Sequence, residues 1–345
     1  MKNYIYLTSF IALLITTISC GGDSKKETLD NFTIKRSHVW LKINLFFLNP
    51  GIYFQMMKDS PDIIHTVGIR SFQSFIAAIV AKKKKIPLVI SDQGGLTTHP
   101  DLCSGGFFKK ILYKLQTPMI RFVINNSTKI SVANEYEKMI FAKLGQTAKI
   151  EVIRNGINLE MMKTKTNNFK KKHGIVLPFV LFIGRFSKVK GIDILLHAIK
   201  ILKDQHELEN ICFVIMGVDF GFQNKMVQMI DDFDIKQKIH LIINPSREDV
   251  IAAYSESEFL VLPSRWELSP LTPLEGFAFK KPVISTNVHG IPSTITDRKN
   301  GILVKNEDFH ELAEAIMELI NDKQKCLEYG LSGYNLVKTE CNSKS

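Results

Sequence analysis

The residues best placed to do chemistry gather in "LVLPSRWELSPLTPLEGFAFKKPVIST", Leu260 to Thr286. Glu267 and Glu275 stand there on either side of a bend broken by Pro270 and Pro273. An ordinary turn needs only a glycine or an asparagine, so two acids, serines and prolines after an apolar run ask for another purpose. Carboxylates repel phosphates but accept hydrogen bonds, which suits them to the hydroxyls of a sugar. The run "FLVLP" ends at Pro263, so Ser264, Glu267 and the turn Leu268 to Pro270 fall at the carboxyl end of a strand. Open α/β sheets bind ligands at that end. A helix from near Thr272 aims its N–H groups at the same place, with Glu275 about one turn inside it.

A second constellation is "FVLFIGRFSKVKGIDILLHAI". Its strand ends at Gly184, its loop carries Arg185, Lys188 and Lys190, and a helix starts near Gly191. Glycine permits a close backbone approach, a helix start offers unpaired N–H groups, and the flanking cations complete an anion site suited to a diphosphate. Taken alone, an ordinary strand-to-helix loop with solvated lysines is the commoner use of such residues. The carboxylates of the first stretch tip the balance towards a ligand. Neither GxxxxGK[ST] nor GxGxxG occurs, which argues against a Walker loop and against a nicotinamide-linked oxidoreductase. "DDFD" at Asp231 to Asp234 falls at a helix end, so no metal site and no cofactor are expected.

The elements that must position these residues recur from about Pro61 onward. "PDIIHTV", "PLVISD", "KISVA", "KIEVI", "PFVLFIG", "ICFVIMG", "IHLI", "FLVLP" and "PVIST" are short β-branched runs with few charges on either face. That is the pattern of parallel strands covered on both sides. Amphipathic stretches such as "GIDILLHAIKILK" and "DFHELAEAIMELI" lie between them and imply repeated βα units. The expected fold is α/β: two Rossmann-like, doubly wound parallel-sheet domains with a cleft between them. The lysine-rich stretch 161–175 is the expected linker. It separates a first domain, 30–160, from a second, 176–345. Before Pro61 only "FTIKRSHVWLKINLFFLNPGIYFQMM" could supply a strand and a helix, so the first domain reads as incomplete.

The chain of 345 residues is long enough for two such cores. Its 45 Lys and Arg against 34 Asp and Glu leave a net charge of +11, which favours an anionic partner. Phosphate groups and an anionic membrane surface are the expected ones, not nucleic acid. The five cysteines form no CxxC pair, so neither zinc nor a disulfide framework is expected. Residues 1–29 resemble a lipoprotein-type signal or a membrane anchor, with an apolar run from Tyr4 to Ile18 before Ser19-Cys20. A cytoplasmic, membrane-associated protein is expected, although such a start leaves export open. In "SGGFFKKILYKLQTPMIRF", Phe107, Phe108, Ile111, Leu112 and Leu115 lie among Lys109, Lys110, Lys114 and Arg121. An interfacial helix and a helix packed on the sheet account for it equally well.

With "GRFSKVKG", "VIRNGIN" and "NVHGIPSTI", the Glu-x7-Glu pair makes the region Val152 to Val304 resemble the donor half of a family 4 glycosyltransferase of the GT-B fold. The resemblance implies transfer of a sugar from a nucleotide donor to a sugar, lipid-linked or other acceptor, with retention of configuration and without a metal. It gives Arg185, Lys190 and Glu267 the catalytic positions: the two cations on the donor diphosphate, Glu267 on hydroxyls of the moving sugar. It gives Glu275 the ribose, the backbone of Ser269, Leu271 and Thr272 the phosphates, and Asn244 and Arg247 the neighbourhood of the base, with Gly184 beside them.

Several positions depart from that pattern. Arg154-Asn155-Gly156 stands for the usual Pro-Asn-Gly, Leu268-Ser269 for Phe-Gly, and Ser293 for an acid. Where the family often has a histidine after a first-domain strand, this chain has Asp92 and Gln93. His65, Gln93 and His99 are the acceptor-side candidates. The missing first-domain glycine loop also suits an alternative, an inactive or binding-only membrane-anchored protein of the same fold.

Overall fold

The computed structural model describes residues 26–29, 32–43, 46–92, 107–143, 149–162 and 168–343. It divides into two compact units, Met1–Ile153 and Arg154–Ser345.

In the first unit, β1 (Lys26–Leu29) pairs antiparallel with β2 (Phe32–Lys35), and β3 (Leu41–Ile43) with β4 (Phe46–Leu48). A parallel sheet follows, of β5 (Ile64–Val67), β6 (Leu88–Ser91), β7 (Lys129–Val132) and β8 (Ile150–Val152), lying side by side in chain order. Helices Gly51–Asp59, Phe72–Lys84, Phe107–Asn126 and Glu135–Lys143 accompany it. Ile64, Leu88, Ile90, Ile130 and Val132 pack with Ala77, Val80 and Val123 in the core. Lys82 to Lys84 occupy the last turn of helix Phe72–Lys84, where cations favour the exposed carbonyls.

The second unit is a single six-stranded parallel sheet. Its strands are β9 (Phe179–Phe186), β10 (Cys212–Asp219), β11 (Ile239–Ile243), β12 (Leu260–Leu262), β13 (Val283–Thr286) and β14 (Gly301–Val304). They lie in the order β11-β10-β9-β12-β13-β14. Val180 and Phe182 face helices Ile192–Asp204 and Phe309–Asn321, whereas Phe179 and Leu181 face helices Arg247–Glu256 and Leu271–Ala278. Both faces are covered, which is why these strands read as unbroken apolar runs. The chain begins in the middle at β9, runs out to β11, and returns to β12 on β9's other side. The carboxyl ends of β9 and β12 therefore form a topological switch point, the place where such sheets open a crevice.

Three elements differ from expectation. The boundary between the units falls after Ile153, and Met162, Phe169 and Ile175 of the expected linker are buried in the second unit's core. The lysines of 161–175 mask those apolar residues in the sequence, while the Phe169 and Lys170 amides are anchored on the Glu256 carboxylate at 2.7 and 3.0 Å. The edge strand β14 was not among the expected runs. Helix Lys323–Glu340 was not among the expected amphipathic stretches either, and Gly330 and Gly333 stand inside it. Those glycines have a packing reason: a Cβ on Gly330 would lie 2.0 Å from the Lys280 carbonyl oxygen, and one on Gly333 2.2 Å from the Phe277 ring.

Candidate active site

Two loops meet at the switch point. After β9, Ser187 leads into a single 3-10 turn, Lys188–Lys190, and Gly191 turns the chain into helix Ile192–Asp204. Gly191 has φ of 68°, and a Cβ there would lie 1.8 Å from the Pro263 carbonyl oxygen, so only glycine fits. After β12, the backbone N–H of Arg265 donates to the Val189 carbonyl at 2.8 Å. The two loops are thus tied main chain to main chain.

Side chains continue the tie. Lys190 Nζ pairs with Glu267 Oε1, and Ser264 Oγ donates to the same oxygen at 3.0 Å. Both ionic side chains are nearly enclosed, 15 % exposed for Lys190 and 9 % for Glu267. Removing either one would leave the other as a buried, unbalanced charge, a large penalty. From the next loop, the Gly290 N–H donates to the Glu267 carbonyl at 3.1 Å. Asn155 Nδ2 donates to the carbonyl and hydroxyl of Ser269 at 3.2 and 3.0 Å, and Arg154 Nη1 to the Ser293 carbonyl at 2.8 Å. The four sequence motifs thereby become one site.

Glu275 lies in helix Leu271–Ala278 with both oxygens engaged. Oε1 accepts from Arg247 Nη1 at 2.9 Å and Oε2 from the Tyr254 hydroxyl at 2.8 Å. Burial first, and then the neighbouring Glu275 charge, push the Tyr254 hydroxyl well above its ordinary pKa, so it stays a donor. Leu271 opens the helix exposed and Thr272 follows half-buried. Asn244, just past β11, is exposed with φ of 53° and donates its N–H to the Gly217 carbonyl at 2.8 Å. Arg185 is exposed at the end of β9, its guanidinium 5.1 Å from the Phe220 ring centre. Gly184 tolerates a Cβ at ordinary contact distance. The crowded glycine is its strand neighbour Gly217, where a Cβ would lie 1.7 Å from the Gly184 carbonyl oxygen.

One central residue escaped sequence reasoning. Arg265 donates from Nη1 to the Lys188 carbonyl at 2.6 Å and to Asp193 Oδ1 at 2.7 Å, from Nη2 to Asp193 Oδ2 at 2.9 Å and Glu307 Oε2 at 2.7 Å, and from Nε to Glu307 Oε1. Burial alone would lower its pKa, but the bonds to Asp193 and Glu307 outweigh that and raise it further. The available signal was an arginine beside Ser264 at a strand's carboxyl end. Its partners were not readable.

Among the first unit's candidates, His65 sits within β5 with Nε2 2.9 Å from Ser91 Oγ, and burial lowers its pKa. Gln93 and His99 lie outside the described residues. Asp92 and Glu137, 2 % and 1 % exposed, are a buried acidic pair that sequence reasoning did not propose. The Ile69 N–H approaches Asp92 Oδ1 at 3.4 Å and the Ala133 N–H donates to Glu137 Oε2 at 2.6 Å, while Asp92 Oδ2 and Glu137 Oε1 have no hydrogen-bond partner. Burial raises Asp92 to about 6; burial, aided by the Asp92 charge, raises Glu137 to about 8. Among the described residues no cluster of His, Cys, Asp and Glu has the make-up of a metal site.

The family described as glycosyl transferases group 1 matches residues 165–335, and glycosyltransferase family 4 matches residues 17–161. An uncharacterized glycosyltransferase of Methanocaldococcus jannaschii is 28% identical over 290 residues, 81% of this chain and 72% of that protein. The UDP-Gal:alpha-D-GlcNAc-diphosphoundecaprenol alpha-1,3-galactosyltransferase of Escherichia coli is 24% identical over 301 residues, 84% of this chain and 75% of that one. The crystal structure of Anabaena HepE in complex with UDP superposes with a TM-score of 0.72 at 17% identity, covering 85% of this chain and 77% of that one. That likeness is one of fold. With the doubly wound second unit and a glycosyltransferase match on each side of residues 162–164, the chain has the GT-B fold and is a glycosyltransferase.

Proposed function

We propose that this glycosyltransferase draws its sugar from a nucleoside diphosphate donor held by the second unit at the carboxyl ends of β9 and β12. The observation that carries this is the Lys190, Glu267 and Ser264 cluster, nearly enclosed at the switch point, which joins two motif segments and is tied through Gly290 to a third. A cation and a helix start beside an acid provide for both ends of such a donor. Lys190, with Arg185, faces the departing diphosphate, and charge fixed in advance at a leaving group is a large catalytic contribution. Glu267 accepts from hydroxyls of the moving sugar, the backbone of Ser269 to Thr272 meets the phosphates, and Glu275 accepts from the ribose. Asn244 and Arg247 lie towards the base. In this reading Lys190 and Arg185 supply the positive charge themselves and the reaction calls for no metal.

The finer assignments are retention of anomeric configuration and an acceptor bound through the first unit, with His65, Gln93 and His99 as its candidates. Retention rests on the resemblance of the Glu-x7-Glu half to its family. A lipid-linked acceptor at the cytoplasmic side of a membrane is favoured by the net charge of +11 and by the diphosphoundecaprenol in the name of the Escherichia coli relative. Residues 1–25 of the signal-like segment, Cys20 among them, lie outside the described residues, and among the described residues no helix is long and apolar enough to cross a membrane. UDP is the first nucleotide to test, because HepE binds it and the Escherichia coli relative is named for UDP-Gal. The decisive experiment is a panel of UDP-, GDP- and ADP-sugars scored by thermal shift and by release of nucleoside diphosphate. At least one should raise the melting temperature of the unaltered protein and none should do so in Lys190→Ala. No shift with any donor, or equal shifts in both proteins, would refute the site. Proton NMR of the product settles the anomeric outcome.

A further inference from the structure

Arg265 spends all five N–H donors of its guanidinium on three segments that are distant in sequence. The Lys188 carbonyl belongs to the turn carrying Lys190, Asp193 to the first turn of the helix after it, and Glu307 to the loop after β14. Its own backbone N–H holds the Val189 carbonyl, and Glu267 follows only two residues later. The side chain is 17 % exposed and its pairing with Asp193 is bidentate, the geometry that fixes orientation as well as charge. Asp193 and Glu307 also bear on the site by charge. Two carboxylates beside the Lys190 turn would repel an incoming anion unless a cation stood between them.

We propose that Arg265 is a positioning residue for the donor diphosphate: it holds the Lys188–Lys190 turn in shape and neutralises Asp193 and Glu307, without touching the donor itself. This rests on the donor site proposed above. It assigns a specific job to a residue of the Leu260 to Thr286 stretch that sequence reasoning had left without one. Lysine cannot replace arginine here, since a single ammonium lacks the planar fork that grips Asp193 and Glu307 together.

The test uses the full chain with Arg265→Lys and Arg265→Ala. Affinity is titrated for UDP, GDP and ADP and for the matching nucleosides, which lack phosphate, alongside melting temperatures. Arg265→Lys should fold and bind its preferred nucleoside diphosphate about tenfold more weakly, the equivalent of one charge-assisted contact. Nucleoside affinity should change by less than about twofold, because Arg265 acts through the phosphate-facing turn. In Arg265→Ala the same split should widen. If Arg265→Ala does not fold, Arg265→Lys decides alone. Wild-type diphosphate affinity in Arg265→Lys, or equal weakening of diphosphate and nucleoside, overturns the proposal and leaves the donor site standing. Failure of the unaltered protein to bind any nucleoside diphosphate overturns the donor site as well.

Discussion

At the scale of single residues, two carboxylates on one short segment have different surroundings and should respond differently. Glu267 is paired with a cation from another loop, whereas Glu275 is held by the buried Tyr254 hydroxyl and by Arg247. Glu267→Gln should leave nucleoside diphosphate affinity undiminished and lower sugar transfer, since an amide still accepts but without the charge that strengthens a hydroxyl contact. Glu275→Gln should weaken nucleoside diphosphate and nucleotide sugar alike by about tenfold, one charged hydrogen bond. Titrating both ligands against both variants distinguishes these roles, and identical profiles would count against them. The buried Asp92 and Glu137 pair makes a prediction of another kind. Each pKa is raised on folding, Asp92 from 3.8 to about 6 and Glu137 from 4.5 to about 8. The folded protein therefore binds protons more tightly than the unfolded chain. Their protonated forms support the fold fully below the unfolded values, and that support is lost as the pH rises through about 6 and then about 8. Melting temperature should fall between about pH 4 and 8, and Glu137→Gln should flatten the part of the fall above about pH 6. A variant that follows the wild-type curve would contradict the assignment.

At the scale of elements, the site depends on close approaches that side chains would block. Gly191 joins the Lys188–Lys190 turn to its helix in a left-handed conformation, pressed against Pro263. Gly191→Ala should cost about 2 kcal/mol or more from backbone strain and the displaced carbonyl together. Both loops should shift, so donor-induced thermal stabilisation should be lost in the same variant. Retained stabilisation would show that the loops do not depend on this contact. Gly330 and Gly333 act likewise, letting helix Lys323–Glu340 lie directly on Lys280 and Phe277. Helix Leu271–Ala278, which ends just before Phe279, carries Glu275, so the long helix supports the site from behind without contributing to it.

At the scale of the whole molecule, the net charge of +11 bears on the proposed membrane address. Electrostatic attraction to anionic lipid is screened as salt rises. The full chain should co-sediment with vesicles containing phosphatidylglycerol at low salt, release at high salt, and ignore vesicles of phosphatidylcholine alone. Binding to neither kind would remove the surface part of the proposal, and Cys20→Ala in cell fractionation separately tests a lipid anchor. The sequence was most informative where structure is local. The nine apolar runs all became strands, because a strand buried on both faces shows itself residue by residue in its own composition. Lys190 and Glu267 could be placed in loops just beyond strands for the same reason, whereas β9 runs past its expected end at Gly184 to Phe186. The tertiary structure alone decided who meets whom. Arg265 reaches Asp193 across 72 positions and Glu307 across 42, and no local pattern encodes a partner at that distance. Nothing local marked Asp92 and Glu137 as a pair that folding would enclose, and Phe169 read as part of a lysine-rich linker although it enters the core. Periodicity along the chain fixes which face of an element is apolar, but charge pairing, burial of a carboxyl and the fit of a glycine against a carbonyl arise only when distant segments are brought together.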